Sequence, residues 1–60
     1  MDKKMAANNA DICISNAETH LKNAESYAAI TGDKSLLDGV RKSRQSVETV
    51  RKELQRKLER

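Results

Sequence analysis

The chain has 60 residues, of which 35% are charged and 37% hydrophobic, and a formal net charge of +3 at pH 7. A chain this short buries only about 60% of its unfolded surface, so a single copy needs disulfides, a metal or self-association for stability. Its one cysteine, Cys13, excludes an internal disulfide, and no paired Cys and His set for zinc is present. We therefore expect self-association, with no metal and no cofactor.

The composition favours helix, because Ala, Leu, Lys, Arg, Glu and Gln dominate while Pro, Phe and Trp are absent. No apolar run reaches the roughly 18 residues that cross a bilayer. The opening MDKKMAANNAD lacks the apolar core of a signal peptide. These features predict an all-α cytoplasmic protein with a reduced thiol.

The first predicted helix contains three consecutive heptads, NADICIS, NAETHLK and NAESYAA, over residues 9–29. Each heptad opens with Asn, Ala and an acidic residue, so an alanine recurs every seventh residue. We predict this helix over about residues 8–31. Either Asp2 or Asn8 can cap its N-terminus, since Asp and Asn are both preferred N-caps.

The break AITGDKSLLD predicts a turn at residues 32–34. Gly32 can adopt the left-handed conformation that ends a helix, and Asp33 and Ser35 are both good N-caps. A second helix is expected over about residues 35–60. So short a connection between two long helices predicts an antiparallel hairpin.

Both predicted helices carry an apolar seam with alternating spacings of three and four residues, as in coiled coils. The first seam comprises Ala10, Ile14, Ala17, Leu21, Ala24 and Ala28, and the second Leu36, Val40, Ser43, Val47, Val50 and Leu54. An antiparallel arrangement pairs Ala28 with Leu36 at the turn and Ala10 with Leu54 at the open end. Every layer then joins a small residue to a larger one, which fills space evenly.

Charged residues flank the two predicted seams. Asp11 and Glu18 lie beside the first, and Arg51 and Arg44 beside the second. The hairpin layers predict the ion pairs Asp11–Arg51 and Glu18–Arg44. Such surface pairs add little stability and mainly select the register.

One seam of alanines and valines makes a thin core, so a second apolar surface is expected. Off-seam residues at heptad spacing predict an oligomer interface made of Cys13, His20, Tyr27, Leu37 and Leu58. Two hairpins that pair through this interface would form a dimeric four-helix bundle. Ile12 and Ile30 are further apolar residues off the seam.

Neither catalysis nor metal binding is indicated by the reactive residues. Cys13 and His20 are seven positions apart, about 10 Å along a helix, which is too far to share one ion. Cys13 has no neighbouring base, and no Gly-rich oxyanion loop or paired carboxylate cleft is evident. We expect no enzymatic activity.

The charge distribution leaves a nucleic-acid role open. Residues 1–31 carry a net charge of −1 and residues 32–60 a net charge of +4. Phosphate groups could bind a basic face of the second helix, formed by Arg41, Arg44, Arg51, Lys52, Arg56 and Arg60. However, acid-first i,i+4 pairs such as Glu48–Lys52 favour a solvated helix, and no aromatic residue is interleaved for base stacking.

Asn9, Asn16 and Asn23 form a row of poor helix formers at seven-residue spacing. The row has two interpretations. It is either a polar outer edge of the bundle or a ladder of amides that meets a partner helix.

The pattern Ala28-x-x-Thr31-x-Asp33 at the turn, with Val47-Glu48-x-Val50-x-x-x-Leu54 after it, resembles a family of short two-helix proteins from spore-forming bacteria. The resemblance spans residues 11–58 and implies a helical hairpin but no activity and no site residues. The chain departs from that family in its Ala-rich first seam and its basic tail. Its architecture also resembles the repressor-of-primer hairpins, which pair as four-helix dimers and bind RNA loops. No sequence motif is shared with those hairpins, so the RNA function is not implied.

The sequence thus favours a structural or protein-interaction module that pairs with itself or with another helical protein. The alternative is a nucleic-acid-binding regulator that uses the second helix.

Overall fold

The computed structural model describes residues 1–59 and shows two α-helices packed against each other as an antiparallel hairpin. Helix α1 spans Lys3–Thr31 and helix α2 spans Lys34–Leu58. The molecule is a rod with principal extents of 44 × 16 × 12 Å. The predicted all-α hairpin is confirmed. Arg60, at the predicted end of the second helix, lies outside the described residues.

Helix α1 begins five residues earlier than the predicted start near residue 8. The Asp2 side chain is its N-cap and accepts a 2.7 Å hydrogen bond from the Met5 backbone N–H. The Ala6 N–H donates to the Asp2 carbonyl at 3.0 Å, which closes the first turn. Asp2 is therefore the cap, and Asn8 lies inside the helix.

The end of α1 is set by Gly32 and by the hydroxyl of Thr31. Gly32 has φ = 74°, a left-handed conformation, and its N–H donates to the Ala29 carbonyl at 3.3 Å. The Thr31 hydroxyl donates to the Ala28 carbonyl at 2.6 Å and accepts from the Asp33 N–H at 3.1 Å. The Thr31 side chain thus gives a carbonyl at the C-terminal end of α1 a hydrogen-bond donor and holds the backbone of Asp33, the residue that caps α2.

Helix α2 begins at Lys34 because Asp33, and not Ser35, is the N-cap. The Asp33 carboxylate accepts a 3.1 Å hydrogen bond from the Leu36 N–H. A capped start one residue after the left-handed Gly32 reverses the chain in two residues. This tight reversal brings α2 back along α1.

The contact between the helices is rotated away from the predicted seams. Ala28, 4% exposed, is the one buried residue in the described chain. The half-buried positions of α2 are Leu37, Val40, Arg44, Val47, Glu48, Arg51, Leu54 and Leu58, while those of α1 are Ala7, Asp11, Ile14, Ser15, Ala17, Glu18, Leu21, Ala24 and Glu25. Four residues predicted to lie inside the seams are exposed instead, namely Ala10, Leu36, Ser43 and Val50.

The reason for the rotation is the length of the charged side chains. Arg44 and Arg51 have long aliphatic stems, which can cover apolar surface of α1 while their charged ends reach its carboxylates. Ser43 at the predicted position has no such stem. Turning α2 toward its arginines therefore places these stems against α1, and it leaves Leu36 and Val50 half-exposed.

Neither α1 nor α2 has an apolar stretch long enough to cross a membrane.

The two glycines should respond to alanine substitution with opposite signs. No heavy atom of the hairpin lies within 4 Å of a Cβ built on either Gly32 or Gly39. The backbone conformation at each glycine therefore determines how an alanine there changes the stability of the hairpin. Gly32→Ala should destabilise the hairpin by about 1–2 kcal/mol, because an L-residue is strained at positive φ. Gly39→Ala, inside α2, should stabilise it by roughly 0.5–1 kcal/mol. Thermal unfolding of the two variants checks this, and a shift of the same sign in both would contradict it.

Candidate functional site: an open apolar groove beside an ion-paired side

One side of the hairpin is closed by ion pairs between α1 and α2. Glu18 Oε2 accepts from Arg51 Nη1 at 3.2 Å. Glu25 contacts two arginines, with its Oε2 2.9 Å from Arg44 Nη1 and its Oε1 3.2 Å from Arg41 Nε. The side chains of Glu18 and Glu25 are only 12% and 19% exposed. These pairs therefore lie against the helix contact and exclude much of the solvent.

The ion pairs differ from those predicted. Arg51 contacts Glu18 and not Asp11, and Arg44 contacts Glu25 and not Glu18. Each Cα–Cβ bond in a helix tilts toward the N-terminus of its own helix. In this hairpin, a carboxylate of α1 therefore leans away from the turn and an arginine of α2 leans toward it. Facing pairs meet only when the arginine lies farther from the turn than its partner, which excludes the predicted Glu18–Arg44 pair.

The electrostatic environment of Glu18 favours its charged form. The hydrogen bond from Arg51 lowers the pKa of Glu18 below its ordinary value, and the positive charges of Arg51 and Lys22 lower it further. Partial desolvation opposes this shift. Lys22 Nζ lies 3.6 Å from Glu18 Oε1, one helical turn along α1. Glu18 is thus held as a carboxylate at neutral pH.

The opposite side of the hairpin is open and apolar. Two shallow grooves follow one another there, with volumes of about 340 Å³ near the turn and about 190 Å³ farther from it. The first is lined by Ala24, Tyr27, Ala28, Thr31, Leu36 and Val40, and the second by Ile14, Ala17, Ser46, Val47 and Val50. Ala17 and Ala24 are seven residues apart, as are Val40 and Val47, so both grooves lie on one side. We call these eleven residues together the open groove.

The open groove retains the predicted pairing of small with large residues. Ala17 and Val47 line the same part of it, and so do Ala24 and Val40. The layers that the heptads predict are therefore adjacent, but solvent reaches them from one side. Leu36 and Val50 are still 48% and 49% exposed.

No charged side chain lines the open groove, although 35% of the chain is charged. Between Leu36 and Val50, the charged residues of α2 lie at other helix positions, including Asp38, Arg41, Lys42, Arg44 and Glu48. Ser43 lies seven residues from both Leu36 and Val50, so it shares their side of the helix. The uncharged side of α2 thus extends along the whole groove.

The five residues predicted as an oligomer interface are divided between the two sides. Cys13, His20 and Tyr27 are exposed on α1, and Tyr27 lines the open groove. Leu37 and Leu58 are half-buried and lie seven residues from Arg44 and Arg51, so they belong to the ion-paired side. The structure does not bring these five residues together on one flank.

Sequence reasoning missed Ser46 and Thr31 as groove residues. Both are small polar residues that fall outside the apolar heptads. A usable signal was present in α2, because Gly39, Ser43 and Ser46 place uncharged residues on one side of an otherwise highly charged helix.

Three of the five described residues of the predicted basic face are already engaged by α1. Arg41, Arg44 and Arg51 contact its glutamates, whereas Lys52 and Arg56 are exposed. Arg60, the last predicted member, lies outside residues 1–59. The engaged arginines have part of their charge neutralised, which weakens the field available to a phosphate backbone.

The predicted separation of Cys13 and His20 persists, with both residues exposed on α1. Across residues 1–59, no group of three or more His, Cys, Asp or Glu side chains is placed to hold a metal ion.

The open groove supplies hydroxyl groups from Tyr27, Thr31 and Ser46 and otherwise aliphatic surface. Such a lining suits packing against apolar side chains.

Comparison with protein-family models, with curated proteins and with solved structures finds no match to this chain.

A charge-exchange series tests the observed register. Glu18→Arg should lower the melting temperature, because it places like charges beside Arg51. Adding Arg51→Glu should recover more than half of the loss, whereas adding Arg44→Glu should not. Equal recovery with either second substitution would show that Glu18 does not face Arg51.

The lowered pKa of Glu18 predicts a specific pH dependence. The contribution of this carboxylate to stability is complete above its unfolded-state pKa and is lost as the pH falls through its lower folded-state pKa. Arg51→Gln should raise the pKa of Glu18 toward its ordinary value and reduce this acid-sensitive contribution. An NMR titration of the Glu18 side-chain carboxyl carbon measures the shift, and an unchanged midpoint in Arg51→Gln would refute it.

Proposed function

We propose that this chain is a non-enzymatic interaction module whose open groove is covered by a second copy of the chain, giving a four-helix bundle. The observation that carries the proposal is an uncharged apolar groove that runs from the turn to Ile14 and Val50, in a hairpin where Ala28 is the one buried residue among residues 1–59. Contiguous apolar surface of this kind marks an interaction site in a soluble domain.

The energetics of the hairpin support a covered groove. Ordering a residue costs about 1.5 kcal/mol of conformational entropy, whereas each buried methylene returns about 0.8 kcal/mol. Ala28 contributes one methyl group, and Leu36 and Val50 remain half-exposed. A second layer over the groove would bury these aliphatic side chains and supply the missing core.

The shape and charge of the groove favour a second copy as the occupant. α1 presents small residues, Ala17 and Ala24, and α2 presents larger ones, Leu36, Val47 and Val50. In a two-fold pair, α1 of each copy can face α2 of the other, so small residues again meet large ones. A second copy also brings no charge into the groove, which avoids burying an unpaired charge.

The proposed compartment is the cytoplasm. Cys13 is a single, exposed thiol, and no second cysteine is present in the chain to oxidise it internally. Such a thiol is compatible with a reducing environment.

Ser43→Lys tests the proposal, with Thr49→Lys as the matched control. Both residues are exposed on α2, and each hydroxyl donates to the carbonyl four residues earlier, at 3.1 and 3.0 Å. Only Ser43 lies on the groove side. Ser43→Lys should halve the sedimenting mass and lower the melting temperature, whereas Thr49→Lys should leave both close to wild type.

The wild-type chain should sediment at no less than twice its 6.7 kDa. Its melting temperature should rise with protein concentration, because association stabilises the folded state by mass action. A wild-type monomer of 6.7 kDa that melts independently of concentration would contradict the proposal. So would a Ser43→Lys chain with the mass and melting temperature of Thr49→Lys.

A further inference from the structure

Tyr27 has the one large aromatic side chain of this sequence, which contains no Phe and no Trp. It lies at the rim of the wider part of the open groove, near the turn, and is 72% exposed. Aromatic side chains bury more apolar area than most others, and tyrosine is among the residue types enriched at the energetic centres of protein interfaces. The hairpin itself leaves most of this side chain unused.

Gly39, inside α2, is a second residue that the hairpin does not account for. A glycine within a helix costs about 1 kcal/mol relative to alanine. Its φ is not positive, and a Cβ built on it meets no atom within 4 Å, so neither the backbone nor the packing of one chain requires a glycine. Gly39 lies seven residues before the groove residue Ser46, so its free space opens on the groove side of α2.

The exposed ring and the free space lie at nearly the same distance from the turn. Tyr27 precedes Thr31, the last residue of α1, by four residues. Gly39 follows Lys34, the first residue of α2, by five residues. These separations correspond to about 6 and 8 Å along the two helices. Within one chain the ring does not fill the space, because no atom lies near a Cβ at Gly39.

We infer that Tyr27 anchors the pairing of two copies, with its ring packed into the free space at Gly39 of the second copy. The inference rests on the groove pairing proposed above and adds which residues meet. A two-fold axis along the hairpins makes the contact reciprocal, so that the tyrosine of each copy meets the glycine of the other. Because both residues lie near the turn, the two turns are then at the same end of the bundle.

The extent of the open groove favours the same orientation. The groove runs from Thr31 back to Ile14 on α1, about 26 Å of a rod that is 44 Å long. Copies with both turns at one end bring their grooves together over this whole length. Copies with turns at opposite ends match their grooves fully only after sliding by about 18 Å, the remaining length of the rod. Such a displacement would leave the open end of each hairpin without a partner.

The chemistry of tyrosine suits a contact at the rim of the groove. The ring is apolar and the hydroxyl is polar, so the ring can be buried while the hydroxyl stays in water. The wider part of the groove contains no charged side chain, so the ring of a second copy would remove no ion from water there.

Sedimentation of Tyr27→Ala tests the inference, with Ile30→Ala as the matched control. Ile30 is also a large apolar residue of α1 and is 82% exposed, but it does not line the groove. Tyr27→Ala should show a twofold lower mass than wild type at the same concentration, because the anchor is lost. Ile30→Ala and Tyr27→Phe, which keeps the ring, should retain the wild-type mass.

Substitutions at Gly39 test the other half of the contact. Gly39→Gln fills the free space without adding a charge, and glutamine is a far better helix former than glycine. It should nevertheless halve the sedimenting mass. Gly39→Ala adds a single methyl group, which fills little of the space, so this variant should keep the wild-type mass.

The fluorescence of Tyr27 reports on its burial directly, because the chain contains no tryptophan and no other tyrosine. Quenching by acrylamide should weaken as the concentration of wild-type protein rises and the copies pair. In Ser43→Lys, which separates the copies, the quenching should stay strong at every concentration.

The outcomes separate the anchor from the groove pairing. A Tyr27→Ala or Gly39→Gln chain that keeps the wild-type mass would overturn the inference, and so would paired wild-type chains whose tyrosine is quenched as strongly as in Ser43→Lys. If Ser43→Lys halves the mass and Tyr27→Ala does not, the groove pairing is retained and the tyrosine anchor is wrong. A wild-type chain that is monomeric at all concentrations would contradict both.

Discussion

Two helices lying side by side can shield only one seam between them. Each helix presents its full circumference to its surroundings except along that contact, so a hairpin of this length cannot enclose a core. The consequence is visible in the burial, since Ala28 beside the turn is the one buried residue in the described chain. The distribution of charge over the remaining surface then distinguishes the charged sides of the hairpin from the uncharged open groove.

The two sides of the hairpin contact are chemically distinct. On one side Glu18 and Glu25 meet Arg51 and Arg44, and the arginine stems cover what the small residues of α1 leave open. On the other side alanines and valines form the open groove, with no charge to hold water there. The ion pairs fix how the helices are rotated, and that rotation exposes the groove. A change at Glu18 would therefore alter the orientation of the apolar surface as well as the local electrostatics.

The outer surfaces of the helices differ in the same manner. α2 is covered by charged residues, whereas the outer side of α1 carries uncharged exposed residues such as Ile12, Asn16 and Asn23. The proposed groove pairing leaves the outer surface of α2 in contact with solvent.

The sequence by itself determined the two helices, the reversal at Gly32 and Asp33, the antiparallel arrangement and the adjacency of Ala17 with Val47. These follow from local preferences and from the heptad period, which act over a few residues. It did not determine the rotation of the helices or the ion-pair register, because Leu36, Ser43 and Val50 satisfy the same period as Leu37, Arg44 and Arg51. Only the tertiary structure decided which of these two sets of α2 residues faces α1. The choice depends on how far an arginine reaches, and in which direction it leans, once a second helix lies beside it.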